Sequence, residues 1–448
     1  MNSNQFMKRP LFVFLLLFTV RCLLFTDAFA LTAKRTVQQN GLIVLHSEEH
    51  SLPTVMLTLL IKASPLNEPK DKAGLANLTA ELLMEGTRHR TSTDISEEID
   101  FLGASLNTST GSDYTTITLS VLKKDVCEGF ELFSDILLNP VFPQQEIERK
   151  KELIKGFLRQ HEEEPSFIAE RAFRKEVFGE HPYGRLTEGS GETIDNIKRD
   201  DLITFYSNYY LPNNTILSAV GDLSEEELNA LVKKYLNTWA KADMPPTTLG
   251  ILNAKNITRV IKIDKGLTQA NIILGHIGIK RNDPDYYAVS IMNYIFGGGG
   301  FSSRLMQSIR DKMGLAYDVD SFFSLNKEKG VFQIEAQTKN ESAGLVISEI
   351  LEQMERIRKE QISDAELSDA KSYLTGSFMR RLDTNRKIAD FLALVEFYNL
   401  DLDYIEKYPG YINSVTKEDV LRVARKYLTP ANYVLVVVAN QQKADLKY

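Results

Sequence analysis

The chain has 448 residues, 43% of them hydrophobic and 25% charged, with a formal net charge of -7. At roughly 100–200 residues per domain the length holds two to four domains, and the ordinary composition excludes a disordered or low-complexity chain. The acidic balance and the lack of a basic stripe argue against nucleic acid as a partner.

Lys8 and Arg9 precede a ten-residue apolar run, LFVFLLLFTV, and TDAFA follows, ending at Ala30. A positive start, a short apolar run and an A-x-A ending form the pattern of a secretory signal peptide over residues 1–30, with cleavage expected after Ala30. An uncleaved N-terminal anchor is the alternative. The run is short and broken by Arg21, whereas a membrane span takes about 20 apolar residues. The expectation is an exported chain, periplasmic or extracellular, with no stable membrane association after cleavage. Losing Lys8, Arg9, Arg21 and Asp27 would leave it at -9. Cys22 lies in the leader, so Cys127 would remain alone, without an intramolecular disulfide. Within the helical pattern KKDVCEGFELF, Cys127 reads as a small buried hydrophobe.

From residue 37, VQQNGLIVLHSEEH places an N-G turn between two extended runs, and TVMLTLLIKAS reads as a central strand. A helix is expected over 71–86, ending at Gly86. STDISEEIDFLGASLN gives a second helix, capped by Ser92, Thr93 or Asp94 and ended by Gly103. TTITLSVLKK alternates as a half-buried strand, VCEGFELFSDILLNP is a helix stopped by Pro140, and a long helical stretch covers 144–178. QANIILGHIGIK begins a second series as a strand. DYYAVSIMNYIFG and SSRLMQSIRDKMG read as helices, the latter ended by Gly314. AYDVDSFFS and GVFQIEAQT are strands, and SAGLVISEILEQMERIRK and DAELSDAKSYLTGSFMRRL are helices.

The two series match at a spacing of about 210–220 residues. IDFLGASLN aligns with IRDKMGLAY through Gly103 and Gly314, and QQEIERKKELIKG aligns with SDAELSDAKSYLTG through Glu146 and Glu366. That spacing reads as a duplicated domain. The polar stretch 237–253, with its Pro-Pro pair, joins the copies. The expected organisation is 31–240, a linker at 241–252, and 253–448. The fold class is α+β: two homologous domains, each a mostly antiparallel sheet with helices.

Four stretches carry a family resemblance: GLANLTAELLMEGT from Gly74, residues 181–222 beginning HPYG, IFGGGGFSSRLMQSIRDKMGLAYDVDSFFS at 295–324, and the C-terminal ANYVLVVVAN. Through them the whole mature chain resembles the pitrilysin/insulinase family of zinc peptidases, the inverzincins. The likeness is strongest to short two-domain members that work in pairs, the bacterial and mitochondrial processing peptidases, and it implies one half of a clamshell. In that family a helix G-x-A-H-x-x-E-H supplies two zinc-binding His and a general-base Glu. Here Asn77 and Glu81 stand at the His positions and Ala80 at the Glu position. The third ligand, a Glu in the family, falls near Gly156 or Phe157, and Glu152 lies about a turn earlier. Hydrolytic zinc takes three protein ligands, so the resemblance implies no metal in this chain and zinc in a partner subunit.

Arg310 and Tyr317 match an Arg-x6-Tyr pair that the family's second domain supplies. There the Tyr hydroxyl donates to the developing oxyanion and the Arg holds a substrate carbonyl or carboxylate. Without the resemblance, a helix-end Arg favoured by the dipole and a half-buried strand Tyr would suffice. Gly297, Gly298, Gly299 and Gly300 form a loop that lacks the Lys of a phosphate loop. In the processing peptidases such a loop lies in the substrate-recognising subunit; a plain helix–helix turn is the other reading. The acid run 162–164 reads as a solvated face or as an attractor of basic peptides. His181 reads as a structural hydrogen-bonding residue. The resemblance implies a non-zinc subunit of a heteromeric metalloendopeptidase, inactive alone and paired with a zinc-bearing paralogue acting on peptides or unfolded segments. A non-catalytic scaffold or peptide-binding protein of the same fold is the alternative.

Overall fold

A computed structural model describes residues 32–247, 249, 250, 252 and 258–446. The expected signal peptide, and part of the expected linker, lie outside the described residues. Among the described residues no helix is long and apolar enough to cross a membrane.

The first sheet contains β1 (Lys34–Val37), β2 (Ile43–Glu48), β3 (Thr54–Ile61), β4 (Ser105–Thr110), β5 (Thr115–Leu122) and β6 (Thr215–Gly221). Its order is β1-β2-β6-β3-β5-β4. The second contains β7 (Arg259–Asp264), β8 (Gln269–Ile277), β9 (Ala316–Phe323), β10 (Val331–Lys339) and β11 (Val434–Ala439), in the order β7-β11-β8-β10-β9. Apart from the added hairpin strand β1, the orders are the same. In each sheet one pair is parallel, β2 with β6 and β7 with β11, and the rest are antiparallel. The duplication expected from the sequence is therefore a repeated topology in an α+β fold.

Chemistry explains the central strands. All of TILSAVG in β6 and all of VLVVVA in β11 are buried. Strands covered on both faces read as continuous apolar runs rather than alternating ones. The second cover comes from the other half of the chain. The helix Pro165–Phe178 lies across β8 and β11, while the helix Asn385–Phe397 lies across β3 and β6. Each follows one of the two aligned helices, Gln144–His161 and Asp364–Phe378, so the halves exchange equivalent helices. Ile388, Leu392 and Val395 are buried along Asn385–Phe397, at roughly 1.5–3 kcal/mol of stabilisation each. Arg35 pairs bidentately with Glu396 at 2.8 and 2.9 Å, and Thr58 donates to Asp390 at 2.7 Å.

Several local expectations are corrected. The first helix is Leu75–Leu82, not 71–86, with a separate turn at Lys70–Lys72. The second helix is capped by Thr91, whose hydroxyl accepts from the Asp94 amide at 3.2 Å while the Asp94 carboxylate accepts from the Thr91 amide at 2.8 Å. The stretch 144–178 is two helices, because Pro165 cannot continue a helix and instead begins the next. Gly103 and Gly314 do end their helices in left-handed backbone, at φ 57° and 63°. Cys127 is exposed, not buried. Val126, Gly129, Phe130 and Phe133 take the inner face of its helix and leave Cys127 on the outer one. Trp239 belongs to the first core, its indole N–H donating to the Tyr210 carbonyl at 3.0 Å.

Candidate functional site

The helix Leu75–Leu82 is held at its start by Glu68. That carboxylate accepts from the amides of Gly74 at 3.1 Å and Ala76 at 3.0 Å, filling the role of a cap. Burial pushes its pKa up to about 7, against the opposing pull of those amides. One turn apart on the helix, Asn77 and Glu81 face the helix Gln144–His161. The Asn77 amide donates to Glu81 at 2.9 Å, and Lys150 lies 3.6 Å from the Glu81 carboxylate. Ala80 is buried. A cavity of about 260 Å³ is lined by Asn77, Glu81, Leu153, Ile154, Phe157 and Glu188. Of Gly156 and Phe157, near which the sequence alignment places the third ligand, Phe157 lines this cavity. Glu152 turns away and pairs with Lys155 at 2.5 Å.

These side chains do not make a donor set for zinc. Asn77 and Glu81 are tied to each other, neither Gly156 nor Phe157 has a side-chain donor atom, and Glu188 is the one further carboxylate on the cavity lining, short of the three ligands hydrolytic zinc takes. Among the described residues no group of three or more His, Cys, Asp or Glu is placed to hold a metal.

Arg310 and Tyr317 are brought together. Arg310 rides on a π-helical segment, Met306–Lys312, and Tyr317 is the second residue of β9, the edge strand. The guanidinium carbon lies 4.7 Å from the Tyr317 ring centroid, and Nη1 donates to the Tyr317 carbonyl at 3.0 Å. Tyr317 is 80% exposed, so its hydroxyl faces solvent rather than being half-buried in the strand. The glycine-rich segment meets this pair through a residue that the sequence reading did not single out: the Phe301 ring also lies with its centroid 4.7 Å from the Arg310 guanidinium carbon. Of the four glycines, Gly297 is buried, and a Cβ there would come within 2.3 Å of the Ser321 hydroxyl. The loop is thus tied to β9. Gly298 and Gly300 are exposed. No hydrogen bond or ring contact joins this pair to Asn77 or Glu81 among the described residues.

Between the halves runs a second cavity of about 560 Å³, which shares Phe157 with the first. It is acidic: Glu164, Glu170, Asp318, Asp320 and Glu335 line it. Burial, then the charge of Asp318, raises the Asp320 pKa; burial, then Asp320 and Glu170, raises that of Glu335. Of the 162–164 run only Glu164 reaches this cavity, while Glu163 pairs with Lys265 at 3.2 Å. The Asp318–Asp320 spacing at strand period 2 is the signal that could have found this lining.

HPYG is a clasp. His181 Nδ1 accepts from the Tyr183 amide at 3.2 Å, and the Tyr183 hydroxyl donates to Asp113. Asp113 also accepts from the Lys327 amide at 2.9 Å, which joins the two halves. His181 is a structural hydrogen-bonding residue, as read from the sequence.

Residues 43–191 match the family model described as Insulinase (Peptidase family M16), and residues 196–374 match the model described as Peptidase M16 inactive domain. An uncharacterized zinc protease of Rickettsia bellii (strain RML369-C) is 29% identical over 337 residues, covering 75% of this chain and 80% of its own. The uncharacterized zinc protease YmxG of Bacillus subtilis (strain 168) is 25% identical over 411 residues, covering 91% and 98%. A solved structure of a peptidase M16 inactive domain from Pseudomonas fluorescens superposes with a TM-score of 0.85 at 28% identity, over 91% of this chain and 98% of that one. A protease from Helicobacter pylori shares the fold, with a TM-score of 0.84 at 22% identity over 91% and 99%. With two adjacent models of one family matched along most of the chain, and with the repeated topology seen in the fold, the chain belongs to the insulinase/pitrilysin family of peptidases.

Proposed function

We propose that this chain is the zinc-lacking subunit of a two-chain metalloendopeptidase, exported and paired with a paralogue that carries an intact H-x-x-E-H helix. The observation that carries this reading is an ordered Arg310–Tyr317 pair whose phenol stands 80% exposed on a sheet edge. An oxyanion donor is worth far more in a site closed to water, so a second surface over this pair would complete it. The paralogue supplies the metal chemistry. This chain's residues bind and orient: the Tyr317 hydroxyl donates to the developing oxyanion, and the Arg310 fork takes a substrate carbonyl or carboxylate. The acidic cavity between the halves favours segments bearing Lys or Arg. Relatives described as zinc proteases support the family chemistry, while Asn77, Ala80, Glu81 and Phe157 argue against its hydrolytic half in this chain.

The test is Tyr317→Phe in the reconstituted pair. Turnover is expected to fall by roughly 10²–10³ with KM little changed, as for loss of one oxyanion donor. Unchanged turnover would overturn this role.

A further inference from the structure

The glycine-rich loop delivers an aromatic ring to the guanidinium, and we propose that Phe301 is a positioning residue that fixes the direction in which Arg310 offers its N–H donors to a substrate carbonyl or carboxylate. The inference deepens the subunit reading above and rests on it for its substrate.

Phe301 is 66% exposed, and its ring is engaged by Arg310 rather than by the core. It is held from both sides. Upstream, Phe296 is fully buried and Gly297 is tied against Ser321. Gly300 then turns the chain through left-handed backbone at φ 57°, which glycine adopts without strain. Downstream, the Ser303 amide donates to the Gly300 carbonyl at 2.9 Å, and Arg304 is clamped on Glu366 at 2.7 and 3.1 Å. The short turn between these points leaves Phe301 over Arg310.

Two rings lie against the guanidinium, each with its centroid 4.7 Å from the carbon. A guanidinium has five N–H donors in one plane. One is spent on the Tyr317 carbonyl, and no other hydrogen bond or ion pair to the Arg310 side chain is found among the described residues. With a ring at each of these two contacts, a substrate meets the guanidinium through its free N–H edge. That is the geometry in which Arg grips a planar carboxylate or carbonyl. Tyr317 thus has two tasks, whereas Phe301 has only the stacking one.

The experiment uses the full mature chain with labelled arginine, as wild type, Phe301→Leu and Phe301→Trp. In the isolated chain the Arg310 δ-methylene resonance is expected to show a ring-current shift. Leu, apolar but without a π-face, should reduce that shift, and Trp should keep it. In the reconstituted pair, Phe301→Leu should raise KM about two- to fivefold, the worth of one exposed cation–π contact, with kcat unchanged; Trp should restore KM. An Arg310 resonance unchanged in the Leu variant would overturn the inference, and so would a lost shift with an unchanged KM. Equal behaviour of Leu and Trp would also overturn it, reducing Phe301 to apolar packing. No turnover from the wild-type pair would sink the subunit reading instead, while the resonance would still decide whether Phe301 fixes Arg310.

Discussion

Glu68→Gln tests the physical argument for how the motif helix is held. The Glu68 carboxyl is buried beneath the start of Leu75–Leu82, and its pKa is raised from 4.5 to about 7 by that burial. Between those values the folded chain holds a proton that the unfolded chain has released. Stability from this group is therefore complete below about pH 4.5 and is lost as pH rises through about 7. At 1.36 kcal/mol per pKa unit the full window is worth about 3 kcal/mol, of which roughly 2 kcal/mol falls between pH 5 and 7. Gln mimics the protonated carboxyl and cannot ionise. Urea unfolding of wild type and variant at pH 5, 6 and 7 isolates the term, because other titrating groups cancel in the difference. Wild type should lose roughly 2 kcal/mol relative to Gln across that range. A difference that stays constant with pH would refute the reasoning, by showing that the Gly74 and Ala76 amides outweigh desolvation.

Three further outcomes are expected. Rebuilding the family motif with Asn77→His, Ala80→Glu and Glu81→His should not give tight zinc binding, because neither Gly156 nor Phe157 supplies a third ligand; adding Phe157→Glu, at the cavity lining, should give about one zinc per chain by metal analysis. Tight binding by the triple variant would show that another ligand serves. Tyr183→Phe leaves the buried Asp113 carboxyl short of a donor between the halves and should lower stability by about 1–3 kcal/mol in urea unfolding; no change would remove the clasp from the account. N-terminal sequencing of the exported chain should begin at Leu31, and an unprocessed terminus would favour the anchor.

Much of the fold was legible because it depends on local chemistry. The N-G turn at Asn40–Gly41, the caps at Gly103 and Gly314 and the apolar strands all follow from the residue types present. The duplication was legible for the same reason, since each copy repeats the same pattern. What the sequence hid was long-range. Nothing in Pro165–Phe178 or Asn385–Phe397 says that each covers the other half's sheet. Cys127 was misread because period alone does not say which face of a helix turns inward. At the site, the spacing of Arg310 and Tyr317 was visible, but the Phe301 ring closing over them depends on how the loop folds back on β9. That Phe157 rather than Gly156 lines the cavity beside Asn77 and Glu81 was seen only in the fold.

The measurement that bears most directly on the central claim is hydrolysis of a mixed peptide library by the purified mature chain, alone and with an H-x-x-E-H paralogue, with zinc determined on the same samples. The account predicts no hydrolysis from this chain alone, and hydrolysis together with about one zinc per pair only when the paralogue is present. Hydrolysis by this chain alone, or none in either sample, would contradict it.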